Sequence, residues 1–155
     1  MKLNPDWVAG FVDGEGTFYV DINKNQTMSS GYQILPEFRV VQHKRDYKLL
    51  HALKNFFGAG VVRVNHQDRY ELRIRSLDHL EKLVIPVFEK HLLMTQKQFD
   101  FIKFKKIINL MKNKEHLTKE GVVKIINIAS QMNRAEKPIA QRAKQDILEQ
   151  DKVHA

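Results

Sequence analysis

Apolar residues recur at helical spacing near the start of the chain and then alternate with polar ones. Asn4 can cap a helix, Pro5 suits its first position, and the helical spacing runs over residues 7–12. Over residues 17–23 the apolar side chains fall at every second position, which is typical of a half-buried strand. The pattern therefore predicts a helix that leads directly into a strand.

A second strand and a second helix follow. A polar loop over residues 24–31 precedes alternation over residues 33–40, where Pro36 indicates an edge strand because proline cannot donate a ladder hydrogen bond. Helical spacing returns over residues 46–57, and Gly58 is a plausible end for that helix. The two alternating segments, joined by a polar loop, predict an antiparallel hairpin.

A second hairpin and a third helix come next. Alternation over residues 62–65 and 69–75 predicts a second hairpin, and Ser76 can cap a further helix that we expect to end near Pro86. Three more helices are predicted, over residues 95–112, 118–132 and 138–150. The order of elements predicts an α+β fold with helices on one face of a single antiparallel sheet.

The length fits one domain. We expect that domain to span residues 1–155, with a core over about residues 4–112 and a helical extension over about residues 113–155.

The outward positions of the four strands are polar and rich in arginine. They are Thr17, Tyr19, Asp21, Asn23, Gln33, Glu37, Arg39, Arg63, Asn65, Arg69, Glu71, Arg73 and Arg75. Arginine, asparagine and glutamine are the residue types that make paired hydrogen bonds to base edges in the major groove of DNA. The set predicts a DNA-binding face, although a merely solvated sheet would also alternate in this way.

Composition narrows the class of partner. Lys and Arg number 26 against 18 Asp and Glu, so the net charge is +8, which favours a polyanion or simply a solvated basic surface. The lack of cysteine excludes disulfides, thiol catalysis and thiolate zinc sites. No apolar run approaches the roughly 18 residues of a membrane-spanning helix, and we expect no membrane partner and no secretory signal.

The first helix carries two features that call for explanation. Gly10 and Gly14 lie four residues apart, which suits close approach by another backbone, and Asp13 and Glu15 lie at the unfavourable, negative end of the helix. If two copies packed across a two-fold axis, two Glu15 carboxylates about 5 Å apart would repel by roughly 3 kcal/mol at an effective dielectric of about 20. A divalent cation would cancel that cost, and hard oxygen ligands favour Mg²⁺ over zinc. The alternative is an ordinary acidic surface loop.

Residues 8–16, Val-Ala-Gly-Phe-Val-Asp-Gly-Glu-Gly, resemble the LAGLIDADG motif, with Glu15 in place of the second aspartate. The resemblance implies an αββαββα core with a DNA-binding saddle, and a homodimeric, site-specific homing endonuclease. It also implies a helix–helix contact at Ala9, Gly10, Asp13 and Gly14, with Asp13 supporting the helix end. Glu15 and Gly14 would be the metal contacts.

The resemblance assigns the remaining chemistry as well. It implies that Glu15, Gln42 and Lys97 are catalytic, with Gln42 orienting solvent and Lys97 stabilising charge on phosphate. An alternative alignment places Thr95 at the position of Lys97, and Lys44 and Arg45 are further basic candidates that we also expect to bind DNA. The cofactor implied is Mg²⁺, for which Mn²⁺ would substitute.

Double-stranded DNA is the expected substrate. The resemblance implies cleavage of a long, pseudo-palindromic target with 3′ overhangs, in support of intron homing. The alternatives are a maturase that binds its host intron RNA and a DNA-binding relative that does not cleave. The expected location is intracellular, either bacterial cytoplasm or an organelle.

Overall fold

The computed structural model describes residues 1–133, 147–149 and 152. Within them the helices are α1 Pro5–Glu15, α2 Tyr47–Phe57, α3 Leu77–His79, α4 Ile85–Lys90, α5 Lys97–Lys112 and α6 Lys119–Ala129. The strands are β1 Gly16–Lys24, β2 Tyr32–His43, β3 Val61–His66 and β4 Arg69–Ile74. The element order confirms the predicted αββαββα core and the α+β class. The helix predicted over residues 138–150 falls largely outside the described residues.

The four strands form one antiparallel sheet in the order β1-β2-β4-β3. The prediction that Pro36 marks an edge strand was wrong, because β2 is an inner strand. Pro36 lies opposite Val20 of β1, whereas pairing between β2 and β4 begins only at Phe38. The proline is therefore tolerated because β2 has one neighbour, not two, at that point.

Helices cover one face of this sheet and enclose an aromatic core. Phe18 lies at its centre, with ring centroids 5.3 Å from Phe104 and 5.4 Å from Phe38. The core rings also include Phe88 of α4 and Phe101 of α5. On the strands, the residues that alternate with Phe18 and Phe38 face away from the helices. Burying each such ring stabilises the fold by about 2–3 kcal/mol, so the apolar parity of each strand fixes which face stays open to solvent.

The sequence predicted that the helix after β4 ends near Pro86, and this prediction was wrong. Ser76 caps α3 by accepting a hydrogen bond from the His79 amide at 3.3 Å, as predicted. The chain then continues through a wide π-helical turn, Leu80–Val84, into α4. Pro86 lies in the first turn of α4, where its missing N–H removes no intrahelical hydrogen bond of that helix.

Asn133, which follows α6, joins α5 and β1 through two hydrogen bonds. The Asn133 amide donates to the buried Asp100 carboxylate at 3.1 Å, and its side chain donates to the Phe18 carbonyl at 3.0 Å. Gly121 allows α6 to start close to the preceding turn, since an added Cβ would lie 1.6 Å from the Glu115 carbonyl oxygen. The two hydrogen bonds of Asn133 hold α5 against β1 and so help to fix the position of its first residue, Lys97.

Candidate nucleic-acid interface and active site

The junction between α1 and β1 positions the candidate catalytic carboxylate. Asn4 caps α1 by accepting from the Asp6 amide at 2.8 Å, as predicted. The last residue of the helix is Glu15, and the amide of Gly16, the capping residue that follows, donates to the Val12 carbonyl. A side chain at Gly16 would meet Val12 Cγ1 at 2.6 Å, so the close approach requires glycine. Glu15 therefore lies at the end of the helix with an exposed side chain, directly before the sheet.

Gln42 contacts this carboxylate. Its Nε2 donates to Glu15 Oε2 at 3.3 Å, across 27 residues of sequence. Gln42 has the same strand parity as the buried Phe38 and Val40, so it points to the helix side, beside the end of α1. The structure thus brings together Glu15 and Gln42, two of the three predicted catalytic residues.

Lys97, the third, lies at the C-terminal end of α1. Its Nζ donates to the carbonyls of Val12 at 3.0 Å and Asp13 at 3.1 Å, so an ammonium group meets the negative end of the helix. Burial lowers the pKa of Lys97, and the nearby charges of Asp13, Asp100 and Glu15 only partly oppose that effect. A pKa that is perturbed by burial together with specific charged neighbours marks a candidate functional site.

Asp13 was expected to support the end of its own helix, α1, but its carboxylate bonds to the segment that leads into α5. Its carboxylate accepts hydrogen bonds from the Met94 amide at 2.7 Å and from both the amide and the hydroxyl of Thr95. Desolvation opposes ionisation, but the bonds from Thr95 and Met94 and the charge of Lys97 outweigh it, so the pKa of Asp13 is lowered. Thr95, the alternative to Lys97, thus bonds to Asp13, while the Lys97 ammonium caps α1.

Two predicted DNA contacts are not available on the surface. Glu37 and Glu71 have the outward parity that the sequence indicated, but they are only 5% and 1% exposed. Arginines cover them: Arg63 Nε donates to Glu71 at 2.8 Å and Arg75 Nε to Glu37 at 3.4 Å. These two acids therefore lie beneath the outer surface, because strand parity gives the face of a residue and not its depth; their contact with DNA stays a prediction.

Arginines dominate the accessible part of that face. Arg39 and Arg73 lie directly opposite each other on β2 and β4, and the Arg39 guanidinium lies 5.6 Å from the centre of the Tyr19 ring. Burial and then the charges of Arg75 and Arg63 lower the pKa of Arg73, so the positive charges of the face are close enough to affect one another. Along β1, Asn23 donates to Asp21 at 3.0 Å.

The other basic candidates lie at the end of β2. Lys44 forms an ion pair with Asp68 at 2.8 Å across to the turn between β3 and β4, and that ion pair raises the pKa of Lys44. Arg45 lies 3.8 Å from Asp46 and is exposed. Lys44 and Arg45 thus lie at the end of β2, and of the three basic candidates Lys97 is the one that contacts the end of α1.

The outer side of α1 is open. An added Cβ at Gly10 or Gly14 would meet nothing within 4 Å, and Trp7, 46% exposed, stacks on Phe11 with ring centroids 5.0 Å apart. Ala9 was expected at the same helix–helix contact, but it is only 5% exposed and packs in the core of its own chain. It therefore does not lie on this open side of α1. Sequence analysis missed Trp7, although its helical spacing with Gly10 and Gly14 was available.

Sequence analysis also missed apolar residues on the arginine-rich face. Leu35, Val41 and Val61 have outward parity, and Val61 is 53% exposed. The alternation along the strands places these three residues on the outward face as well, so the sequence alone could have predicted them. Apolar side chains on such a face can contact thymine methyl groups.

Among the described residues, no group of three or more His, Cys, Asp and Glu side chains could enclose a metal ion. In the same part of the chain, no helix combines the length and apolar content needed to cross a bilayer.

The fold and the site define a single α+β unit with an acidic helix end beside a basic sheet face. Residues 8–108 match the family described as LAGLIDADG endonuclease. The chain belongs to this family.

Solved structures and curated relatives agree. The homing endonuclease I-TnaI is 57% identical with a TM-score of 0.91, over 95% of this chain and 99% of that one. The I-SmaMI LAGLIDADG homing endonuclease bound to cleaved DNA is 37% identical with a TM-score of 0.90, over 94% of this chain and 49% of that one. The probable intron-encoded endonuclease 2 of Neurospora crassa is 33% identical over 133 residues, which are 84% of this chain and 29% of that relative.

The chain therefore spans about three-tenths of the Neurospora relative, half of I-SmaMI and nearly all of I-TnaI.

Proposed function

We propose that two copies of this chain form a dimer that binds duplex DNA on the arginine-rich sheet face and cleaves both strands at a specific site. The observation that carries the proposal is the exposed Glu15 carboxylate at the end of α1, with Gln42 and Lys97 beside it and the basic face directly after it. The relatives named above, described as homing endonucleases or as bound to cleaved DNA, support it.

The site fits Mg²⁺, with Mn²⁺ as a substitute. Mg²⁺ is usually held by one or two carboxylates together with substrate phosphates and water, and not by an enclosing set of protein ligands. Glu15 would hold it, with Gly14 adjacent on the backbone. The bound cation would polarise the phosphodiester and lower the pKa of water at the site.

The chain's own side chains then have distinct tasks. Gln42 holds the Glu15 carboxylate and offers an amide that can orient the attacking water. Lys97 uses two of its three N–H donors on the helix carbonyls, so one remains for a phosphate oxygen. Placing that donor where negative charge develops stabilises the transition state.

Dimerisation through the open side of α1 would complete the site. Gly10 and Gly14 would allow a second α1 to approach closely, with Trp7 and Phe11 contributing apolar area. The two Glu15 residues would then meet near the two-fold axis, one for each DNA strand. Each copy would read one half-site, so the target would be long and pseudo-palindromic. I-SmaMI, of which this chain covers 49%, has room for two such units in one chain.

We further propose that the break has 3′ overhangs and promotes insertion of an intron that encodes the protein. Support comes from the family and from relatives described as intron-encoded. Such a protein works where its target DNA is, in an organelle or a bacterial cytoplasm.

The experiment is to select a target from randomised duplex DNA and to incubate it with the wild-type protein in Mg²⁺, Mn²⁺ or EDTA. The expected result is cleavage of both strands with either metal and none in EDTA, with sequenced ends that carry 3′ overhangs. Failure to cleave in any metal, combined with binding of the host intron RNA and faster splicing, would instead support a maturase.

A further inference from the structure

The sheet face that we propose turns towards DNA contains two buried carboxylates. Glu71 is 1% exposed and Glu37 is 5% exposed, whereas Arg63 and Arg75 above them each expose about half of their side chains. A buried carboxylate is costly unless it is paired and hydrogen-bonded. A need for a soluble surface does not explain these two acids, because a polar residue exposed at the same position would make the surface equally soluble.

Glu71 joins side chains from three strands. Its Oε1 accepts from Arg63 Nε at 2.8 Å on β3, and its Oε2 accepts from Asn65 Nδ2 at 2.9 Å. Arg39 Nη1, on β2, lies 3.9 Å from the same Oε2. Both carboxylate oxygens are therefore occupied by groups of the residue types that read bases.

The bonds to Arg63 and Arg75 use Nε in both cases. The two terminal amino groups of each arginine are not consumed by these bonds, and they are the groups that form paired hydrogen bonds to guanine. An arginine held in one pose loses less conformational freedom on binding, and it rejects a base whose acceptors are displaced.

We infer that Glu71 and Glu37 are positioning residues that set base specificity, each by holding its arginines in one pose towards the major groove. The inference rests on the proposed function. Glu37 and Val41, the cross-strand partner of Glu71, are four residues apart on β2. That separation is about 13 Å, or about four base-pair steps. The two acids should thus control different parts of the half-site.

The test measures binding without cleavage, in EDTA, on a randomised duplex library, for wild type, Glu71→Gln and Glu37→Gln. Glutamine keeps the size of the side chain but removes the charge and places an N–H donor against other donors. Each variant should lose roughly fivefold discrimination, the lower end of what one paired contact provides, at its own block of positions. The control, Glu81→Gln, removes a carboxylate paired with Lys112 at 2.6 Å, outside the sheet, and should keep the wild-type profile.

Unchanged base preferences in both variants would overturn the inference. So would a uniform loss of affinity with the same preferences, since that is the result of a purely structural role. If circular dichroism shows that Glu71→Gln does not fold, Glu71→Asp replaces it, since it keeps the charge but draws the carboxylate away from Arg63, and the same block of positions must relax. If wild type selects no duplex, the proposed function fails and this inference with it; if wild type selects a duplex but does not cut it, only cleavage is refuted.

Discussion

At the residue scale, the environment of Lys97 determines its protonation. Its ammonium group is half-buried at the end of α1, and that burial lowers its pKa from the ordinary 10.5, against the opposing charges of Asp13, Asp100 and Glu15. The proton is therefore lost at a lower pH than from a lysine in water. Cleavage that depends on the charged form should decline over the same range.

We expect the single-turnover cleavage rate to fall on the alkaline side at a pH below 10.5, and this fall to move to higher pH in Lys97→Arg, which stays charged. Lys97→Met should cut at least about 100-fold more slowly and still bind. Rate measurements across pH on a selected target check both. A wild-type rate that rises through this range, as for a general base, would contradict the assignment.

Sequence reasoning at this scale reached the motif residues but not all of their roles. Glu15 and Lys97 both followed from the family resemblance, because an acid at the negative end of a helix left an ordinary surface loop as the alternative. The choice between Lys97 and Thr95 depended on contacts between α1 and α5, which are distant in sequence. The burial of Glu71 depended on arginines of other strands, so alternation along one strand could not reveal it.

At the scale of elements, α1 is joined to α5 and to the segment before it by hydrogen bonds in both directions. Asp13 of α1 accepts hydrogen bonds from the amides of Met94 and Thr95 before α5, while Lys97 of α5 donates to the last carbonyls of α1. Lys97 thus pairs with unsatisfied carbonyls at the end of α1, while Asp13 holds the segment that leads into α5. This arrangement sets the distance between Lys97 and Glu15.

We expect Asp13→Asn to lower the free energy of unfolding by about 1 kcal/mol at pH 7, the strength of hydrogen bonds to a charged group discounted for solvent screening. Because the folded pKa of Asp13 is lowered, its contribution is present above 3.8 and is lost as the pH falls through the folded value. The difference between variant and wild type should therefore shrink at low pH.

Urea unfolding at pH 7, 5 and 3 measures this difference. Thr95→Val serves as the control, since it removes one hydroxyl donor and leaves the two amides in place, and it should cost less than Asp13→Asn. A difference that is constant across the three pH values would show that the carboxylate charge plays no part.

The element order was predictable, but two local features were not. The alternation and helical spacing gave every strand and the cap at Ser76. The inner position of β2 depended on pairing with β4, and the continuation past Pro86 depended on a π-helical turn. Both are set by tertiary packing, which periodicity along one segment does not contain.

At the scale of the whole molecule, one chain presents one Glu15 carboxylate and an open helix face. Gly10 has free space on its outer side, so a larger side chain there should not disturb the isolated chain. Leucine should even favour α1 by about 0.8 kcal/mol, because glycine is the poorer helix former. In a dimer packed through this face, the same side chain would separate the two helices.

We therefore expect Gly10→Leu to be folded and monomeric, with cleavage lost and half-site binding weakened. Sedimentation velocity, together with thermal melting, checks the prediction. The matched variant Gly58→Asn changes a glycine in the left-handed conformation after α2 and should leave association unchanged. A Gly10→Leu protein that sediments as a dimer, or a wild type that is monomeric on its target, would contradict dimerisation through α1.

The most direct test of the whole account is cleavage by Glu15→Gln in Mg²⁺, beside its binding to the same target. Glu89→Gln is the control, since it removes an exposed carboxylate that pairs with Lys105 at 2.8 Å on the helical side. The account predicts that Glu15→Gln binds the target as wild type does but does not cut it, while Glu89→Gln does both. Cleavage by Glu15→Gln at the wild-type rate would contradict the account.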